Sequence, residues 1–106
     1  MALDIDVLRK LCKDGNIKWT MHIFKRMRER DISSDEVLEC IEFGEIIEQY
    51  QQTYSSPSCL VLHIGTARPL HVVAACDGAC VYLVTAYVPT LDEWESDYRT
   101  RKEGRN

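Results

Sequence analysis

The sequence predicts an α+β fold in which two to three N-terminal helices pack on a four-stranded antiparallel meander sheet, followed by a short C-terminal helix. Three observations predict it: apolar residues recur at helical spacing as far as Gly44, β-rich runs follow from Glu45 to Val88, and turn-forming residues separate those runs. The chain has 106 residues, which is enough for one hydrophobic core. We therefore expect a single domain over residues 1–106.

The first two helices are predicted from capping residues and apolar spacing. Asp4 is a suitable N-cap for a helix over Ile5–Lys13, and Gly15 offers a stop behind it. Thr20 can cap a second helix that runs to about Arg30.

The third helix has the clearest start signal. Ser33-Ser34-Asp35-Glu36 matches a capping box, in which Ser33 and Glu36 satisfy each other's free backbone N–H groups. Apolar residues follow at helical spacing, and Gly44 ends the helix.

Four strands are predicted in the second half of the chain. Side chains alternate from Ile46 to Tyr54 before a Ser- and Pro-containing break, and three β-rich runs follow, over residues 59–64, 70–76 and 80–88. Gly65–Pro69 and Asp77-Gly78 supply turn chemistry between these runs. The result is a meander of antiparallel strands.

The C-terminal segment predicts one more short helix. Thr90-Leu91-Asp92-Glu93 is a second possible capping box, and Trp94 and Tyr98 follow it. Residues 99–106 are polar, and we expect them to fray.

Composition favours a cytoplasmic protein. The N-terminus is acidic where a signal peptide would be basic, and no stretch approaches the ~20 apolar residues of a membrane span. The five cysteines are an odd number and lie mostly among apolar residues, which favours buried thiols over disulfides. The net charge of −4 means that the whole molecule does not attract nucleic acid, so polyanion binding would need a local patch.

One such patch is predicted on the second helix. His22, Arg26 and Arg30 follow each other at i, i+4 steps, with Lys25 and Arg28 beside them. Cations near a helix N-terminus can hold a phosphate, whereas neutralisation by neighbouring acids would leave only a solvated face. Both interpretations stay open at this stage.

A second candidate site depends on the register of a hairpin. If Cys76-Asp77-Gly78 forms a type I turn with a glycine bulge, His71 and Thr85 lie on the same face of the sheet. If Asp77-Gly78 alone forms a type I′ turn, they lie on opposite faces. His71 is alternatively a satisfied, semi-buried strand residue without a catalytic role.

We expect neither a metal nor a cofactor. Cys59, His63, His71, Cys76 and Cys80 supply donors, but their spacing is not that of a structural zinc site. No Gly-rich phosphate loop or nucleophile elbow is present in the sequence.

Six motifs of this sequence resemble those of a bacterial family catalogued as domain of unknown function 4258, and they occur in the same order as in that family. They are Trp19-Thr20-Met21-His22, Arg26-Met27, Arg30-Asp31-Ile32-Ser33, Gly44-Glu45-Ile46-Ile47-Glu48, Arg68-Pro69-Leu70-His71-Val72-Val73 and Thr85-Ala86-Tyr87-Val88-Pro89. The resemblance runs from about Ile17 to Lys102.

Members of that family are similar to small toxin ribonucleases of the barnase, colicin and RelE-type group, and some are encoded beside zinc-finger antitoxin-like proteins. The resemblance implies a metal-independent, mRNA interferase-like endoribonuclease of a toxin–antitoxin pair, with RNA as substrate and an antitoxin-like protein as partner. Carried over by motif, the catalytic candidates are His22, Arg26, His71 and Thr85. Lys25, Arg30 and Arg68 are the phosphate-binding candidates.

The acidic charge also supports a second hypothesis, because toxin ribonucleases are usually basic. In this alternative the protein is a non-catalytic interaction module of the same fold, whose edge strand or basic helix face contacts another protein. The sequence does not indicate the oligomeric state.

Overall fold

The computed structural model describes residues 2–51 and 56–103. It contains three helices, α1 (Ile5–Lys13), α2 (Met21–Arg30) and α3 (Ser34–Phe43). The five strands are β1 (Ile17–Trp19), β2 (Glu45–Tyr50), β3 (Ser58–Ile64), β4 (Pro69–Cys76) and β5 (Val81–Tyr87). The α+β class and the three helices are confirmed.

Each helix begins at the predicted cap. The side chains of Asp4, Thr20 and Ser33 accept hydrogen bonds from backbone N–H groups in the first turns of α1, α2 and α3, and Ser33 and Glu36 form the full capping box. The α3 helix ends at Gly44, as predicted.

The sheet has one strand more than predicted, and it is mixed. Its order is β1-β5-β4-β3-β2, where β2 to β5 form the antiparallel meander and β1 adds to β5 in parallel. The prediction of a four-stranded antiparallel sheet was therefore wrong at one edge. A strand of three residues is too short to show a side-chain period, and its partner lies far away in the chain.

The first predicted strand is β2, but its alternation is broken. A bulge between Ile46 and Glu48 turns Ile46 towards the helices, while Glu48 and Tyr50 lie on the opposite face. The predicted continuation of this strand to Tyr54 falls on residues 52–55, which lie outside the described residues.

The helices cover one face of the sheet, and the core lies between them. Ile23 and Met27 of α2 and Val37, Cys40 and Ile41 of α3 pack against alternate residues of the strands. Arg9 of α1 donates hydrogen bonds to the carbonyl oxygens of Ile41 and Gly44 and so ties α1 to the end of α3.

The opposite face is covered in part by residues 90–103, which we call the C-terminal strap. The short C-terminal helix predicted here was wrong: Thr90 begins a single turn, and Trp94 then pairs with Arg101 in an isolated antiparallel bridge. The ring of Trp94 is buried against the sheet. This burial keeps the segment in an irregular conformation instead of a helix. Arg99 and Arg101 form ion pairs with Glu45 and Glu48 of β2, whereas residues 104–106 lie outside the described residues.

Candidate functional site

The N-terminus of α2 lies beside the point where β1 ends and β5 continues. The Thr20 hydroxyl donates a hydrogen bond to the carbonyl oxygen of Leu83 (2.9 Å) and approaches that of Val84 (3.2 Å), which fixes the start of the helix against β5. His22, in the first turn, is exposed. This anchoring places the imidazole at the edge of the sheet.

A groove of about 590 Å³ opens at this edge, and we call it the His22 groove. Its lining residues are Thr20, His22, Ser56, Ala75, Asp77, Tyr82, Val84 and Thr85. Two of the four predicted catalytic residues, His22 and Thr85, therefore line the same groove.

A bulge determines that Thr85 faces this groove. The hairpin follows neither register considered from the sequence, because Cys76 pairs with Val81 across the loop over residues 77–80. Without further change this pairing would put His71 and Thr85 on opposite faces. The register shifts by one residue between the Val73–Thr85 and Ala74–Leu83 pairs, so both side chains share the face turned away from the helices.

Tyr82 and Asp77 form the polar wall of the groove. The Tyr82 hydroxyl donates a hydrogen bond of 2.9 Å to Asp77 Oδ2. The backbone N–H groups of Cys80 and Ala79, and then this hydroxyl, lower the pKa of Asp77, while the same bond raises the pKa of Tyr82. The exposed Lys18 lies opposite Tyr82 in the β1–β5 register and brings a cation to this wall.

His71 lies on the same face as the groove but in a closed pocket. It is fully buried beneath the C-terminal strap, with its ring edge-on to Trp94 at a centroid distance of 4.6 Å. His71 Nε2 lies 2.7 Å from the carbonyl oxygen of Tyr98, and Nδ1 lies 3.1 Å from the Tyr87 hydroxyl. A carbonyl oxygen only accepts, so Nε2 carries the proton and the Tyr87 hydroxyl donates to Nδ1 of the neutral ring.

Burial lowers the pKa of His71. Removal of the ring from water is the main cause, the Tyr98 carbonyl and Glu48 oppose it, and Arg101 adds to it. Both ring nitrogens already have partners, so the closed structure leaves His71 no free nitrogen for a substrate.

The lowered pKa of His71 predicts a pH-dependent stability. At a pH above 6.5, the pKa of His71 in the unfolded chain, the ring is neutral in both the folded and the unfolded state. Below this pH the unfolded chain binds a proton at His71, whereas the ring in the folded chain stays neutral. We expect the free energy of unfolding of the wild type to fall between pH 6.5 and pH 5. The contribution of His71 to this fall is at most about 1.4 kcal/mol per pH unit. Urea titrations at several pH values measure the slope.

The matched variants for this slope are His71→Gln and His22→Gln. His71→Gln is expected to be less stable at pH 7.5 but to show a shallower slope, whereas exposed His22→Gln keeps the wild-type slope. Identical slopes in all three proteins would contradict the assignment to His71.

Three of the four remaining predicted cations are engaged within the protein. Arg26 pairs with Glu29, Arg30 donates to the carbonyl oxygen of Ala86, and Arg68 binds the Glu36 carboxylate through two nitrogens, each at 2.9 Å. Arg68 also lines a different groove, at the C-terminal end of α2 and the start of α3. Lys25 is exposed and forms no ion pair with a residue in the described ranges.

The sulfur and acidic groups are dispersed. Burial raises the pKa of the Cys40 and Cys59 thiols to about 12 in each case, so both stay protonated. In the part of the chain that the structure describes, no three His, Cys, Asp or Glu side chains are grouped to hold a metal ion.

None of the helices that the structure describes has the length and apolar character needed to cross a membrane.

Sequence reasoning missed the residues that define both pockets. Tyr82 and Asp77 belong to the groove through the hairpin register, and Trp94, Arg101 and Glu48 close the pocket of His71. The Asp77-Gly78 turn signal could have indicated Asp77. The strap contacts join distant parts of the chain and leave no local signal.

Comparison with known proteins gives one result. No curated protein and no solved structure gives a significant match. The sequence profile of the family described as "Domain of unknown function (DUF4258)" matches residues 19–88, a span that includes α2, α3 and all of β2 to β5. The chain therefore belongs to the DUF4258 family.

Proposed function

We propose that the protein is a metal-independent endoribonuclease whose substrate strand lies in the His22 groove. One observation carries this proposal: an exposed imidazole and a strand hydroxyl, from His22 and Thr85, line one open groove at a sheet edge. RNA carries its own nucleophile, the ribose 2′-hydroxyl, so its cleavage needs only a base, an acid and groups that stabilise the phosphate.

The proposed reaction uses residues of the groove together with Lys18, which pairs with Tyr82 in the neighbouring strand. His22 takes the proton from the 2′-hydroxyl as its oxygen attacks the neighbouring phosphorus, and the bond from phosphorus to the 5′-oxygen breaks to leave a 2′,3′-cyclic phosphate. A water molecule gives a proton to the leaving 5′-oxygen and His22 returns its proton to solvent, while the Tyr82 hydroxyl stays hydrogen-bonded to Asp77. Thr85 and Lys18 stabilise the phosphate oxygens.

This proposal changes the roles implied by the family resemblance. Arg26 and His71 have no direct role in the proposed reaction. Arg26 is paired with Glu29, and His71 is buried under the strap. His71 instead holds the strap at the carbonyl oxygen of Tyr98.

The biological setting follows from the resemblance. We propose a bacterial, cytoplasmic, toxin-like protein, neutralised by an antitoxin-like partner and acting on messenger RNA. Unpaired single strands are the favoured substrate form, because their sugar and base edges are open to side chains.

A second candidate function is supported by the state of the cations. Arg26, Arg30 and Arg68 are bound to the protein's own oxygens and the net charge is −4, whereas phosphate contacts dominate the affinity for RNA. These observations favour a non-catalytic interaction module.

RNA cleavage in the presence of chelator distinguishes the two functions. The purified wild type is incubated with structured and unstructured RNA in EDTA, beside His22→Ala, Thr85→Val and the control His63→Ala. We expect His22→Ala to lower the cleavage rate by about 100-fold or more, Thr85→Val to lower it less, and His63→Ala to leave it unchanged. His63 is the matched control because it lies near Phe43 and outside the His22 groove.

Two outcomes reject the enzyme. Equal RNA breakdown by the wild type and His22→Ala shows that a contaminating nuclease is responsible. No breakdown by any of the four proteins leaves the interaction module as the better description.

A further inference from the structure

The outer face of α2 carries an unusual combination for a protein of net charge −4. Met21, Phe24, Lys25 and Arg28 follow at i, i+3, i+4 and i+7 and form one stripe, which we call the basic stripe. Met21 is 84% exposed and Phe24 51% exposed, although Phe24 stacks on Trp19. The face therefore offers exposed apolar area next to two cations.

The outer face of α3 carries the opposite combination at the same positions. Asp35, Leu38, Glu39 and Glu42 again follow at i, i+3, i+4 and i+7 and form the acidic stripe. Leu38 is 38% exposed, and the three acids are exposed.

Both stripes point away from the core. The buried residues of α2 are Ile23 and Met27, and those at the equivalent positions of α3 are Val37 and Ile41. Each stripe therefore occupies the same angular position relative to the sheet. Placed face to face, the two stripes combine two cations with three anions around the exposed side chains of Phe24 and Leu38.

The charges of both stripes are available for a partner. Lys25, Arg28, Glu39 and Glu42 form no ion pair with any residue in ranges 2–51 and 56–103. By contrast, Arg26 and Glu36, on the flanks of the same helices, already have partners.

We propose that the partner is a second copy of this chain, with the basic stripe of each copy on the acidic stripe of the other. Both stripes lie on the helix layer of the protein. When the helix layers of two copies face each other across a two-fold axis, the same contact forms twice and no stripe is left over for a third copy. A stable interface buries about 1,600 Å² in total, which favours two helix contacts over one.

The electrostatic part of this contact has a direct consequence. Exposed charge pairs weaken as salt increases, because the Debye length falls from ~10 Å at 0.1 M to ~3 Å at 1 M. We expect a dimer whose dissociation constant rises with ionic strength, measured by sedimentation equilibrium over a range of protein concentrations.

Charge reversal tests the pairing. The variant Lys25→Glu, Arg28→Glu presents acids on both stripes, and the variant Glu39→Lys, Glu42→Lys presents bases on both. Each variant alone is expected to be monomeric at concentrations that give wild-type dimer. Their equimolar mixture is expected to dimerise, because both contacts then join unlike charges. A chain that carries all four reversals keeps the wild-type net charge and is expected to dimerise alone.

The matched control is Lys18→Glu, Lys102→Glu, which produces the same change in net charge on the side of the sheet turned away from the helices. It is expected to dimerise like the wild type, and circular dichroism confirms that every variant is folded. A wild type that is monomeric at all concentrations overturns the proposal. So does a dimer that survives both stripe variants, or a mixture that stays monomeric.

Discussion

Trp94→Ala is expected to lower the free energy of unfolding by about 3–5 kcal/mol, the range for truncation of a large buried aromatic. Trp94 is 2% exposed, and its ring packs on the edge of His71 and beneath the Arg101 guanidinium at 4.6 Å. Loss of the ring leaves a cavity between strap and sheet and exposes a neutral histidine. Urea denaturation at pH 7.5 measures the loss.

Leu91→Ala is the control for the same strap, because Leu91 is 49% exposed. It is expected to change the free energy of unfolding by no more than about 0.5 kcal/mol. A Trp94→Ala protein as stable as Leu91→Ala would show that the strap contributes little to the fold.

Gly44→Ala is expected to cost about 3 kcal/mol, at the upper end for overpacking. The backbone of Gly44 is extended and unstrained, so the cost arises from space alone. A Cβ atom at Gly44 would lie far inside van der Waals contact with the carbonyl oxygens of Cys40 and Leu62. Both oxygens belong to the backbone, which cannot move aside without separating α3 from β3. The thermal midpoint and a urea titration both report the loss.

Gly65→Ala is the matched comparison. Its Cβ would meet no atom closer than 3.5 Å, and its φ is not in the left-handed region. We expect it to be neutral or slightly stabilising through the unfolded chain. Similar stabilities for Gly44→Ala and Gly65→Ala would contradict the close packing at Gly44.

Local signals in the sequence predicted the helices and the meander well. Caps at Asp4, Thr20 and Ser33 and the stop at Gly44 act within one turn, so a short stretch of sequence reveals them. The added edge strand escaped prediction because its hydrogen bonds come from Val81–Leu83 and its own three residues show no period. The irregular conformation of the strap was not predicted, because the capping-box pattern at residues 90–93 favours a helix. Burial of Trp94 outweighs that local preference.

The candidate site was only half predictable. His22 and Thr85 were named from the sequence, and the structure puts them in one groove. Their meeting depends on a bulge beside Val84, and a one-residue shift in pairing has no sequence signature as clear as a turn. His71 looked equivalent to His22 in the sequence, yet its access depends on a segment more than twenty residues away.

The parallel pairing of β1 with β5 also constrains when the chain can fold. Residues 17–19 meet residues 81–83, and the cap of α2 is anchored on the carbonyl oxygen of Leu83. Contacts at such sequence separation raise the contact order and slow folding. A nascent chain emerging from the ribosome can form the turns of α1 and α3 early, but the groove-forming end of α2 has nothing to hold it until β5 has been synthesised. The candidate site is therefore assembled only after synthesis of most of the chain, so incomplete chains lack it.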